Sequence, residues 1–201
     1  MSTNVSTQIS EAIRNSTEEA VRAAQVLIEP ASQQFIEDAA NLIANCYQTG
    51  NKVIVAGNGG SLCDAAHFAE ELTGRFRQER RALPAIALSE PGHITCVGND
   101  MGFDRIFARG VEAFGQEGDV FVALTTSGNS ANLVRAVETA QDRGLDTICF
   151  LGKTGGELKG KGTLEWIVSG FTYSDRVQEA HMAAIHIIIE MVERVLFERT
   201  N

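Results

Sequence analysis

Positive charge is scarce in this chain. Lys and Arg number 17 against 26 Asp and Glu, a formal net charge of −9. A protein that grips a phosphate backbone needs a basic face, so this balance argues against a nucleic-acid partner. A small anionic substrate needs only a local site and stays compatible with it. No apolar run is long enough to span a bilayer, and the polar stretch from Met1 to Gln8 lacks the apolar centre of a signal peptide. Cysteines are few: Cys46, Cys63, Cys96 and Cys149, with no C-x-x-C pair among them. They read as free buried thiols in a reducing compartment, and the expectation is a cytoplasmic protein. No linker rich in Pro, Gly or Ser splits the sequence. Its 201 residues suit one compact domain over 1–201, a helical segment at 1–50 followed by an α/β core and C-terminal helix at 51–201.

Between about Val5 and Ile28 the apolar positions Ile9, Ile13, Ala20, Val21, Ala24 and Leu27 fall close to helical spacing. Pro30 suits the first turn of a second helix through Phe35, Ile36, Ala39, Leu42, Ile43 and Cys46, which Gly50 stops. Beyond that point strands and helices alternate. The strands predicted are Val53–Ala56, Ala85–Leu88, Val120–Leu124, Thr147–Leu151 and Leu164–Val168. Helices are predicted from Ser61 to about Thr73, in a short piece near Ile94–Val97, from about Phe103 to Phe114, from Ser130 to about Arg143, and from Asp175 to about Phe197. Repeated β-α units with continuous apolar strands imply an α/β fold, a parallel sheet covered on both faces.

Two turns stand out. Gly57-Asn58-Gly59-Gly60-Ser61 follows one buried strand and opens a helix. Its glycines leave the backbone open to a ligand, and the first N–H groups of the helix favour an anion. Thr125-Thr126-Ser127-Gly128-Asn129-Ser130 follows another strand in the same way. Its hydroxyls can donate to phosphate oxygens, so a phosphate could be held without lysine. The same residue types also make ordinary turns and helix caps. In a doubly wound sheet both turns lie at the carboxyl edge, where ligands bind. A dinucleotide reading fits poorly, because the third glycine and the ribose-binding acid are missing. A P-loop is excluded, since Gly-Lys-Ser/Thr is absent. A small phosphorylated molecule fits better than a nucleotide.

Further candidates are dispersed. His67 and Glu71, four apart on one helix, share a face and can ligate a metal or move protons. An exposed i,i+4 pair of no function has the same spacing. Gln178, His181 and His186 lie on the last helix. Gln178 and His186 stand about 12 Å apart along its axis, so one ion reaches both only at full stretch or if Gln178 precedes the helix. Otherwise one of them serves a neighbouring subunit. Asn99-Asp100 can bond sugar hydroxyls or simply form an Asx turn. Arg75 can pair with a phosphate or complement a helix C-terminus. His93 has no partner legible in the sequence.

Taken together, Ala56-Gly-Asn-Gly-Gly-Ser61, His67-Phe-Ala-Glu-Glu-Leu-Thr-Gly-Arg75, Cys96-Val-Gly-Asn-Asp100, Thr126-Ser-Gly-Asn-Ser-Ala-Asn132 and Asp175-Arg-Val-Gln-Glu-Ala-His181 with His186 resemble the phosphoheptose isomerase family of sugar-isomerase (SIS) domain proteins. The resemblance covers nearly the whole chain. It implies a three-layer αβα sandwich with N-terminal helices, and a homotetramer with active sites at subunit interfaces. It implies conversion of sedoheptulose 7-phosphate to D-glycero-D-manno-heptose 7-phosphate, the first step toward activated heptose for surface polysaccharide. Carried over by position, zinc would be held by His67, Glu71, Gln178 and His186. Substrate contacts would be Asn58, Gly59, Gly60, Ser61, Glu71, Asn99, Asp100, Thr125, Thr126, Ser127, Ser130 and Gln178. Thr125 stands where the family usually has serine, which keeps the hydroxyl. The resemblance, joined to the needs of an enediol mechanism, makes Glu71 the carbon base and His186 its acid/base partner. Two other readings share the same loops: a non-catalytic SIS module that binds a sugar phosphate or a partner protein, and an isomerase of another sugar phosphate.

Overall fold

A computed structural model describes residues 2–198. Two helices, α1 (Ser2–Gln25) and α2 (Pro30–Gln48), precede the alternating part. It runs β1 (Val53–Gly57), α3 (Gly60–Thr73), β2 (Ala85–Ala87), α4 (Pro91–Asp100), α5 (Ile106–Phe114), β3 (Val120–Thr125), α6 (Ala131–Asp142), β4 (Asp146–Gly152), β5 (Leu164–Val168) and α7 (Ser174–Phe197). All strand pairs are parallel, in the order β2-β1-β3-β4-β5. The order reverses between β1 and β3, which opens a crevice at their carboxyl ends.

Every residue of β1 and β3 is buried, as continuous Val/Ile/Ala/Leu runs demand when helices cover both faces. Side chains alternate between two cores. Val53 and Val55 pack with Phe35, Ile43, Phe68, Leu72 and Ile185 from α2, α3 and α7. Ile54 and Ala56 pack with Val97, Phe107, Val111 and Leu133 from α4, α5 and α6. The three-layer sandwich expected from the sequence is therefore what forms. Trp166 in β5 donates to Ser32 Oγ at 3.0 Å, tying α2 to the sheet edge. Asp119, 1% exposed, accepts from Lys52 Nζ at 2.6 Å and fixes the entry to β1 beside β3.

Several expectations need correction. The α4 helix is ten residues long rather than a short piece near Ile94–Val97. The Glu90 carboxylate accepts from the N–H groups of Gly92 and His93, and Pro91 occupies the first turn. That cap starts the helix early, so Asn99 and Asp100 end a helix and do not form a free Asx turn. Gly102, at φ 100°, stops continuation, and a 3-10 turn over Phe103–Arg105 displaces the start of α5 to Ile106. Cys63 and Cys96 are exposed, so only Cys46 and Cys149 are buried thiols; burial pushes both of those up to about 12. The stripe on α1 is amphipathic but uncovered: Ile9, Ile13 and Val21 are 56%, 62% and 53% exposed. His93 does find a partner, the Ile106 carbonyl at 2.9 Å from its Nε2.

His181 is turned away from the carboxyl-edge crevice. It is fully buried against Phe150 and Trp166, its Nε2 bonds the Leu151 carbonyl at 3.1 Å, and its Nδ1 has no partner among the described residues. Burial lowers its pKa to about 4. The unfolded chain then binds a proton near pH 6.5 that the native state refuses until about 4. The contribution is therefore full above about pH 6.5 and is lost as pH falls toward 4, by up to about 3 kcal/mol. Urea unfolding across this window should show that decline, and His181→Gln should flatten it.

Candidate active site

Two adjoining parts make up the site. The first is a cradle at the carboxyl ends of β1 and β3. A cavity of about 220 Å³ is lined by Asn58, Ser61, Thr125, Thr126, Ser127, Ser130, Ser174 and Gln178, together with Leu124. Ser61 lies in the first turn of α3, Ser130 is the N-cap of α6, and Ser174 opens α7. Three helix N-termini thus converge on one small cavity that no Lys or Arg lines. Their N–H groups and partial positive charge suit an anion. The hydroxyls hold the backbone around it: Thr125 Oγ1 accepts from Gly128 N–H at 3.2 Å, and Ser127 Oγ from Asn129 N–H at 3.2 Å. Thr126 Oγ1 donates to Ser174 Oγ at 3.1 Å.

Glycine is required at Gly128, and Gly60 leaves room for a neighbouring side chain. Gly128 has φ 67°, and a Cβ would sit 1.8 Å from the Gly155 carbonyl oxygen. At Gly60 a Cβ would sit 2.7 Å from the Gln178 amide, so that side chain can lie across the α3 terminus and donate to Ser61 Oγ at 3.3 Å. The two turns are joined by Asn58 and Asn132, whose side-chain amides exchange hydrogen bonds of 2.9 Å each way. Gly59 sits with them on a neighbouring cavity that also takes in Asp104 and Phe103.

The second part lies where α3 meets α7. His67 Nε2 is 3.1 Å from His186 Nε2 and 3.4 Å from Glu71 Oε1. Donor atoms of these three residues all lie within 4.8 Å of one another. Two imidazole nitrogens and a carboxylate oxygen converging in this way suit a divalent transition metal. His186 is lowered in pKa, first by burial and then by His67, which favours the neutral ring that ligates. Phe76 stacks on that ring, with centroids 5.8 Å apart.

Gln178 links the two parts. It lines the cradle, and it also lines a second cavity with Asp64, Asp175, Glu179, Met182 and His186. It lies inside the regular helix α7, so the option that it precedes the helix does not hold. Its amide is directed at Ser61, outside the three-residue cluster.

Other candidates fall elsewhere. Asn99 and Asp100 are exposed at the end of α4, bonded to each other at 2.6 Å, and line none of these cavities. Arg75 pairs on the surface with Glu79 at 3.1 Å. Complementing the α3 C-terminus falls to Arg80 instead, which no local pattern distinguishes from its arginine neighbours. Ser174 and Asn132 are further residues the sequence did not single out. A serine opening a helix after Tyr173 and an Asn following the hydroxyl loop were the available signals. Asp64 was also missed: burial raises its pKa, against an opposing pull from His67, and its Oδ2 has no partner among the described residues.

Comparison with known proteins adds to this geometry. Residues 8–152 match the family model of the SIS domain. The chain is 58% identical over 169 residues to a phosphoheptose isomerase of Fusobacterium nucleatum, covering 84% of this chain and 87% of that one. A phosphoheptose isomerase of Sodalis glossinidius is 50% identical over 183 residues, 90% of this chain and 94% of that one. A solved phosphoheptose isomerase from Neisseria gonorrhoeae superposes with a TM-score of 0.83 at 34% identity, covering 92% of this chain and 99% of that chain.

Proposed function

The chain belongs to the phosphoheptose isomerases of the SIS-domain family, and from that premise we propose that it converts sedoheptulose 7-phosphate to D-glycero-D-manno-heptose 7-phosphate. The observation that carries this reading is the pairing of the hydroxyl-lined cradle with the His67–Glu71–His186 cluster through one shared residue, Gln178. A ketose–aldose isomerase must hold a phosphate at one end of its substrate and move protons at the other.

The phosphoryl group occupies the cradle, bonded by Ser61, Thr125, Thr126, Ser127 and Ser130 and by backbone N–H groups of Gly59 and Gly60. Asn58 and Gln178 bond hydroxyls along the chain toward the cluster. Glu71 takes the proton from the carbon beside the carbonyl, giving an enediol, and returns it to the neighbouring carbon. His186 carries the accompanying proton between the two oxygens. His67, Glu71 and His186 would hold a zinc ion, with Gln178, whose amide bonds Ser61 here, as the fourth ligand the resemblance implies. Bound zinc supplies Lewis-acid stabilisation of negative charge on the substrate's oxygens. Holding the ion and taking the carbon proton would draw on the same Glu71 lone pairs.

Asn99 and Asp100, which line neither cradle cavity of their own subunit, belong in this reading to a substrate contact completed by assembly. The uncovered α1 residues Ile9, Ile13 and Val21, with Ile28 at 72% exposure, supply an apolar surface for that homotetramer. No described helix is long and apolar enough to cross a membrane, in keeping with action in the cytoplasm.

The test is an isomerase assay with sedoheptulose 7-phosphate, with and without a chelator. Conversion that the chelator suppresses and added zinc restores is expected. Absence of conversion, with tight binding of a partner protein, would instead mark a regulatory SIS module.

A further inference from the structure

Helix α3 carries His67 and Glu71, while α7 carries His186, and a buried ion pair outside the cavities joins the two helices. Arg80 and Glu193 have side chains only 1% exposed each. Arg80 Nε donates to Glu193 Oε1 at 2.9 Å. Its Nη2 donates to the Glu71 carbonyl at 2.8 Å, and its Nη1 to the carbonyls of Leu72 and Gly74 at 2.9 and 3.0 Å and of Arg81 at 3.1 Å. The other Glu193 oxygen accepts from the backbone N–H of Arg77 at 3.2 Å. One guanidinium therefore satisfies carbonyls left open by the last turn of α3, including that of Glu71 itself, and bonds to α7. Glu193 lies seven residues beyond His186, two turns along the same helix face. Residues 75–80 form a strap between these points, and its Phe76 is the ring stacked on His186.

Burying two charges costs several kcal/mol per ion, and an apolar pair of the same volume commonly serves stability as well or better. Cohesion of α3 with α7 is already supplied by Phe68, Leu72, Ile185 and Ile189. The charged pair adds direction and register, which apolar packing does not. We propose that Arg80 and Glu193 are positioning residues: they preset the spacing of α3 and α7 so that His67, Glu71 and His186 converge before any ion or substrate arrives. This rests on the reading of that cluster as the ion-binding and proton-transfer centre.

The test uses Arg80→Lys and Glu193→Asp in the full-length protein. Both keep opposite charges buried together; Arg80→Lys also gives up the guanidinium's fork of bonds to the carbonyls of Glu71 and Leu72, while Glu193→Asp shortens only the reach of the carboxylate. Circular dichroism at 25 °C checks folding, zinc affinity is read by competition with a chromophoric chelator, and kcat and KM are measured with sedoheptulose 7-phosphate. Folded variants should bind zinc about 10–100-fold more weakly, the usual cost of disturbing a ligand's supporting partner. Turnover should fall with kcat while KM stays within about threefold, because the cradle is untouched. Should one variant fail to fold, the other decides. Native zinc affinity and native kcat in a folded variant, with only a lowered melting temperature, would overturn the proposal. Wild-type protein inactive on sedoheptulose 7-phosphate would overturn the functional reading alone, and the zinc titrations would still decide this one.

Discussion

Glu71→Gln is expected to lower turnover of sedoheptulose 7-phosphate by about 10²–10⁴, the range for losing an acid–base group. The exchange is nearly isosteric, so the helix and its neighbours keep their packing. The backbone carbonyl of residue 71 retains its bond from Arg80. Its partner His67 is 42% exposed, so no buried charge is stranded. What goes is the lone pair that can accept a carbon-bound proton, since an amide is no base at neutral pH. The loss should appear in kcat with little change in KM, because the phosphate-binding turns lie at the other end of the substrate. Steady-state kinetics beside a thermal melt checks this. Near-native turnover in a normally folded variant would remove Glu71 from its role.

His186→Ala should have an effect of similar size on turnover, about 10²–10⁴, together with a loss of zinc affinity. Here two functions sit on one ring. Its Nε2 faces His67 Nε2 at 3.1 Å, so truncation removes one of three converging donors. It also removes the group assigned to carry protons between the substrate oxygens. Excess zinc should therefore restore only part of the activity. His67→Ala offers the contrast, as it takes away a donor and leaves the proton carrier. A His186→Ala variant fully rescued by zinc would reduce His186 to a ligand.

Much of this arrangement is legible in the sequence, for reasons that differ by residue. The turn at Gly57–Ser61 and the hydroxyl loop at Thr125–Ser130 announce themselves because turn chemistry is local. Burial on both faces makes β1 and β3 unbroken apolar runs, so the parallel sheet and its carboxyl-edge crevice follow. His67 and Glu71 are visible as an i,i+4 pair. His186 is another matter: it meets them across 119 residues, and only resemblance to a family brings it in. Arg80 and Glu193 escaped entirely, since one arginine in Gly74-Arg-Phe-Arg-Gln-Glu-Arg-Arg81 looks like another until tertiary structure buries it. Periodicity made α1 a helix but carried no information about what would cover its apolar stripe. The Asn99-Asp100 turn was misjudged because the Glu90 cap, nine residues upstream of Asn99, decides where that helix starts.

A crystal structure of the assembled protein with sedoheptulose 7-phosphate, collected at the zinc absorption edge, probes the whole arrangement at once. It should show anomalous density bonded by His67, Glu71 and His186, the phosphoryl group among Thr125–Ser130 and Ser61, and the C1–C2 end of the sugar beside Glu71 and His186. A sugar bound with its carbonyl end remote from both side chains in every subunit would contradict the account.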